Sequence, residues 1–274
     1  MTKGQLFLWP DRALVLGVAL DSHPHAHFAA QWSWGISGSF RTRLKASDPW
    51  QETRATFFAP NQEHQLDSTG TLLAHLFVVL PTRRTPLCSQ LHADFAQGAA
   101  QTAFAVVQQH LQALLTASAS AQQQMAHAES VLQHWLNCAL PSSSDALPIP
   151  SGKLQGRDAQ RMQHAFQAIT TQLQANPGDK PEASKLAANL YLSESRFTHL
   201  FKLQAGMSLS RYVLWCRVQL ALQAIAGGVN ITQAAHQAGF ADLAHMSRSF
   251  RAMIGVNPSA LQKMTIAFKS GGLN

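Results

Sequence analysis

Two segments decide how this chain folds: LAANLYLSESRFTHLFKLQAGMSLSRYVLWCRVQLALQAI at residues 186–225 and ITQAAHQAGFADLAHMSRSFRAMIGVNPSAL at residues 231–261. Each begins with a short helical pattern, breaks at a turn and resumes as a second helix. In the first, Leu186, Ala187 and Leu190 form the inner face of the supporting helix, and Tyr191-Leu192-Ser193 makes the turn. Phe197, Leu200 and Phe201 anchor the helix that follows, while the small Ala188 lets the two helices cross closely. In the second, Ile231, Ala234 and Ala235 face inward, Gly239 turns, and Met246, Phe250 and Met253 anchor. Apolar residues at these spacings share one face of a helix. The pattern is that of two helix-turn-helix units in tandem. A helix over Ser208–Ala226 joins them, roughly 28 Å long at the α-helical rise. That length suits two recognition helices about one duplex turn (~34 Å) apart.

The side chains left facing outward are polar. On the second helix of the first unit they are Ser195, Arg196, Thr198, His199 and Lys202. In the second unit they are Asp242, Leu243, His245, Ser247, Arg248, Ser249 and Arg251. Arginine can fork to guanine, and Ser or Thr can serve base edges or phosphates. Charge agrees with a polyanionic partner. Residues 151–274 carry 13 Lys and Arg against 5 Asp and Glu, a net of +8, whereas residues 1–150 carry 8 against 9. A basic region gains affinity from each counterion that a neutralised phosphate releases.

This region resembles the DNA-binding domain of AraC/XylS-type transcription regulators. Gly239-Phe240, Ser247-Arg248-Ser249-Phe250-Arg251 and Gly255-Val256-Asn257-Pro258 stand where that family's most recognisable motif stands, and the likeness covers about residues 158–263. Met246 replaces the usual Phe, Leu261-Gln262 replaces an aromatic–Arg ending, and Leu243 and Ala244 offer no polar group. The resemblance implies base contacts from Ser195, Arg196, Thr198 and His199, and from Asp242, Leu243, His245 and Arg248. It implies phosphate contacts from Lys202 and Arg251, and a structural role for Arg217. It also implies double-stranded DNA and RNA polymerase as partners, with activation the commoner behaviour.

Upstream the periodicity changes. Short apolar runs from Leu6 to about Leu80, punctuated by Ser-Gly, Asp-Pro and Pro-Asn, predict a many-stranded β domain. Residues 87–140 are Ala-, Gln- and Leu-rich and predict helices packed on it, a place for a homodimer interface. Pro141–Pro150 is rich in Pro and Ser and begins a linker. The expected fold class is α+β in two domains. A cupin-like β-barrel with a helical appendage occupies 1–140 (barrel about 6–82, helices about 87–140). The linker covers 141–157, and an all-α domain with two helix-turn-helix units covers 158–265.

Histidine is concentrated in the N-terminal half. His25, His27 and Gln31, with His64 in Ala59-Pro60-Asn61-Gln62-Glu63-His64, look like the two motifs of a cupin barrel. Gln31 stands where metal-binding cupins carry Glu, and a neutral amide is a poor transition-metal ligand. The preferred expectation is a pocket for a small organic effector lined by His25, His27, Gln31, Trp32, Trp34 and His64. A metal ion at His25, His27 and His64 stays open, and with it the alternative of a metal-dependent cupin enzyme with a helical appendage.

Other classes find little support. No phosphate-binding Gly loop, nucleophile–base pair or zinc-ribbon spacing is present. The apolar stretches are too short to span a bilayer, and no secretory leader is visible. Cys88, Cys138 and Cys216 fit no metal or redox spacing. The expectation is a cytoplasmic transcription regulator, not an enzyme, with no cofactor and no membrane partner, controlled by a small-molecule effector.

Overall fold

The structure is a computed structural model that describes residues 4–9, 11–17, 23–68, 70–79, 101–116, 120–138, 154, 156–255 and 264–268. Of the expected helices at about 87–140 the part before residue 101, the linker up to residue 153, and residues 256–263 of the expected all-α domain lie outside the described residues. The chain divides into two compact units. One comprises Met1–Val79, Arg84–Ala146 and Arg251–Lys269, and the other comprises Leu80–Arg83, Leu147–Phe250 and Ser270–Asn274.

The first unit is β-rich. Its strands are β1 (Gly4–Leu8), β2 (Arg12–Leu16), β3 (Ala30–Gly35), β4 (Phe40–Arg43), β5 (Gln51–Thr53), β6 (Ala55–Phe58), β7 (Gln65–Asp67), β8 (Leu73–Val78) and β9 (Met264–Phe268). They form a six-stranded sheet in the order β6-β3-β8-β2-β1-β9 and a three-stranded sheet in the order β5-β4-β7. All neighbours are antiparallel except β1 and β9, which run parallel with Gly4 opposite Met264 and Leu8 opposite Phe268. Sequence patterning does not contain β9, because five residues of Met-Thr-Ile-Ala-Phe declare a strand only through the partner that they find. Two helices, α1 (Gln101–Thr116) and α2 (Ala121–Cys138), cover one face of the larger sheet. Leu111, Leu114, Met125, Ala128, Val131 and Leu132 pack there with Phe7, Leu14, Trp32, Trp34 and Leu76. Glutamines fasten this layer: Gln5 Nε2 donates to the Leu114 carbonyl (2.9 Å), and Gln108 Nε2 donates to that of Ile36 (2.6 Å).

The second unit is helical, and the last turn of its final helix groups with the first. Its elements are α3 (Gly156–Ala175), α4 (Ala183–Asn189), α5 (Glu194–Ala205), α6 (Leu209–Ala226), α7 (Ile231–Gln237) and α8 (Leu243–Ile254). In α3 the buried residues Met162, Ala165, Ile169 and Leu173 recur at helical spacing. Side-chain caps fix several helix starts. Ser193 Oγ accepts from Arg196 N (3.2 Å), Ser208 Oγ from Arg211 N (3.4 Å) and Asn230 Oδ1 from Gln233 N (2.9 Å). Arg217 is 7% exposed and donates to the carbonyls of Pro177 (2.9 Å) and Asp179 (2.8 Å), which ties α6 to the turn after α3. Burial pushes the Cys216 thiol on α6 up to about 12, so it is an inert packing group. No helix among the described residues is long and apolar enough to cross a membrane.

Candidate nucleic-acid interface and histidine cluster

The two helix-turn-helix units are α4–α5 and α7–α8. Leu186 and Ala187 on α4 are buried, as are Phe197, Leu200 and Phe201 on α5. Ala187, not Ala188, is the small residue at the crossing, since Ala188 is exposed. In the second unit Ala234 and Ala235 are buried, as are Met246, Phe250 and Met253. Both turns contain a residue at positive φ, Tyr191 at 55° and the glycine Gly239 at 78°.

On α5, Ser195, Arg196, Thr198, His199 and Lys202 are all exposed. Four of them (all but Arg196) line, with Glu194, a shallow open depression. Arg196 is engaged by α3: its Nη2 donates to Asp158 Oδ2 (2.9 Å), and Arg161 Nη1 donates to the other oxygen (3.1 Å). Arg161 and then Arg196 hold the Asp158 carboxyl below the usual carboxylate range. An arginine aimed by a carboxylate has fewer orientations to lose when it binds a ligand.

The α8 face is narrower than its sequence suggests. Arg248 and Arg251 are exposed, as is Asp242. Asp242, however, caps the helix, its Oδ1 accepting from His245 N (2.5 Å), so its acceptor capacity is partly used. Leu243 is half-buried. His245 is half-buried too, its ring set edge-on against Phe240 with centroids 5.3 Å apart. Ser249 faces inward and donates to the His245 carbonyl (2.9 Å).

In the β-rich unit the structure separates residues that the sequence reading groups together. Side chains alternate across a strand. Trp32 and Trp34 therefore point into the core under α1 and α2, while Gln31 and Ser33 point to the opposite face. On that opposite face, Gln31 Nε2 meets Ser33 Oγ (2.8 Å) and His75 Nδ1 (3.2 Å), and Gln31 Oε1 meets His27 Nε2 (2.6 Å). The two tryptophans are thus not part of a site with the histidines, and His75 is the polar neighbour that the sequence reading lacks. Its position on β8, opposite Ser33 in register, was the available signal.

His25, His27 and His64 converge. One nitrogen of each lies within 4.8 Å of those of the other two. Paired backbone hydrogen bonds between His25 and His64 (3.0 and 2.9 Å) clamp the two segments, and Phe58 stacks on His64 with centroids 3.9 Å apart. Gly255, at φ 69°, lies so close that a Cβ there would stand 2.7 Å from His25 Nε2. Burial drives the three pKa values down, to about 4 for His27 and about 3 for His64, and keeps the rings neutral. Burial likewise lowers His75 to about 3.

Comparison with known proteins bears chiefly on the helical region. Residues 186–264 match the family described as a helix-turn-helix domain. The probable transcriptional regulator LumQ of Photobacterium leiognathi is 34% identical over 84 residues, which are 30% of this chain and 34% of that protein. The transcriptional activator RhrA of Rhizobium meliloti (strain 1021) is 40% identical over 65 residues, 23% of this chain and 21% of that protein. The chain therefore spans about a third or less of these curated relatives. A crystal structure of an apo ToxT variant from Vibrio cholerae strain SCE256 superposes with a TM-score of 0.52. It covers 92% of this chain and 97% of that one at 12% identity, which is a likeness of fold.

Proposed function

We propose, from a C-terminal region that is an AraC-type helix-turn-helix domain, that this chain is a sequence-specific DNA-binding transcription regulator. The observation that carries the reading is the pair of capped helices, α5 and α8, each presented by its own helix-turn-helix unit with arginines exposed. Arg196 and Arg248 read bases, with Ser195, Thr198 and His199 beside the first. Lys202 and Arg251 take phosphates. Asp242, Leu243 and His245 contribute less, being a cap and two half-buried side chains, so the second unit leans on phosphates and duplex shape.

The relatives are named as a regulator and an activator, which supports activation through RNA polymerase. The β-rich unit carries the control: a small-molecule effector, held on the face of the sheet that bears Gln31 and His75, shifts the DNA-binding equilibrium, and a homodimer forms through the helical layer. The enzyme alternative has only the histidines to stand on, since among the described residues no carboxylate joins them.

Selection of bound duplexes from a random-sequence pool, with purified full-length protein at physiological salt, tests the reading. Two unequal sequence blocks about one helical turn apart are expected. Arg196→Ala relaxes one block and Arg248→Ala the other, each costing about 1–3 kcal/mol. No retention at low salt overturns the regulator.

A further inference from the structure

We propose that Tyr191 is a DNA-contacting residue, its phenol gripping the sugar-phosphate backbone beside the end of α5 that enters the groove. The inference rests on the regulator reading above and adds a contact to it. It starts from the turn that closes α4. Leu192 N donates to the Ala187 carbonyl (3.0 Å), and Tyr191 N donates to that of Ala188 (3.1 Å). In this nested pair the left-handed residue stands at the position that glycine usually takes. The second unit closes α7 with the same pair, Phe240 N to the Ala235 carbonyl (3.0 Å) and Gly239 N to that of His236 (3.0 Å), and there the residue is glycine. A side chain with a Cβ is disfavoured in this conformation. At 91% exposure the Tyr191 ring recovers almost none of that cost by packing. A strained residue whose side chain stands in solvent points to a role outside the folded chain.

Position names the partner. Tyr191 comes two residues before Ser193, the N-cap of α5, so its Cα lies no more than about 7 Å from the helix start. In a helix-turn-helix the N-terminal residues of the second helix reach base edges, and the chain just before them runs beside the phosphates that wall the groove. Residues 186–195 contain no Lys or Arg, and Glu194 is their one charged side chain. A phosphate at this place therefore meets no cation from that stretch. A phenol suits it: the O–H donates to a phosphate oxygen, the ring lies on the sugar, and the group is neutral beside Glu194.

A neutral donor leaves its own signature. It adds affinity without releasing a counterion, so the salt dependence stays as it was. A backbone contact also carries no sequence information, so the selected motif stays the same.

The test follows binding of full-length protein to a fluorescein-labelled duplex of mixed sequence by anisotropy, from low to physiological salt. Tyr191→Phe weakens binding about threefold to tenfold at every salt concentration, with the slope of log affinity against log salt unchanged. Lys202→Ala instead reduces that slope by about 1. Tyr191→Gly, which relieves the turn, binds no better than Tyr191→Phe although its fold is the more stable. Leu44→Ala, at a 44% exposed residue of the β-rich unit, leaves binding unchanged. Duplexes selected by Tyr191→Phe carry the wild-type sequence blocks, and altered blocks overturn the backbone contact. Wild-type affinity in both Tyr191 variants overturns the proposal too, and a simultaneous loss of reporter-gene activation would assign the ring to a protein surface instead. If the wild-type chain binds no duplex, the regulator reading falls and this contact with it; if it binds and the variants match it, the contact alone falls.

Discussion

Tyr191 and Gly239 hold equivalent turns of the two helix-turn-helix units and share a left-handed backbone, yet their surroundings are opposite. Tyr191 is 91% exposed. Gly239 is pressed onto the turn after α3, where an added Cβ would come within 2.1 Å of the Pro177 carbonyl oxygen. The same carbonyl accepts from Arg217, whose other contact is Asp179. The second unit is thus braced on the Pro177–Asp179 turn, while Tyr191 in the turn of the first is exposed. A left-handed backbone therefore has two settings here: at Gly239 the residue type is set by packing, whereas at Tyr191 the side chain is exposed.

The contrast is sharpest at Gly239. Gly239→Ala combines a left-handed alanine with a backbone overlap, and a loss of about 3 kcal/mol or more is expected, read from urea unfolding followed by far-ultraviolet dichroism. A loss within about 0.5 kcal/mol would mean that the turn is not braced. Arg217→Ala removes the other half of the brace and leaves two carbonyls short of donors, at about 2–3 kcal/mol in the same assay. Asp158→Asn acts on the first unit alone. Under the proposed reading, Arg196 released from its carboxylate should bind unrelated duplex more strongly while the sequence block assigned to α5 broadens, both visible in duplex selection. The pH dependence has a definite sign. Because the folded carboxyl lies below its ordinary range, the ion pairs are intact above that range and are lost as pH falls through the lowered value, measurable by carbon-detected titration of Asp158. The smallest effect belongs to Tyr191→Gly, which relieves a left-handed tyrosine and should stabilise by up to about 1 kcal/mol. Destabilisation would show that the exposed ring has a role within the folded chain.

What could be read from sequence follows the range of the forces involved. Helix α5, the Ser193 turn before it and its buried Phe197, Leu200 and Phe201 were legible because turn signals and helical periodicity are local. The cap of α8 was not, since Asp242 can serve equally as a cap or as a base reader until its carboxylate is seen on His245 N. Choosing Ala188 over Ala187 is a one-residue error of helical phase. The histidine cluster was legible as a motif, but its lining was not. Parity along β3 sends Trp32 and Gln31 to opposite faces, and identity alone does not say which face a tryptophan takes. Strand β9 lay furthest from view, because a parallel partner so distant in sequence leaves no local trace.

That last strand bears on how the protein is made. At roughly 5–20 residues per second, a ribosome needs on the order of tens of seconds to pass from β1 to β9. During that interval β1 has β2 on one side and a bare row of backbone donors and acceptors on the other. The helical unit, whose elements from α3 to α7 are all synthesised first, can close meanwhile. The domain begun first is therefore completed last, and nascent chains stalled before Met264 should be the ones that a chaperone holds.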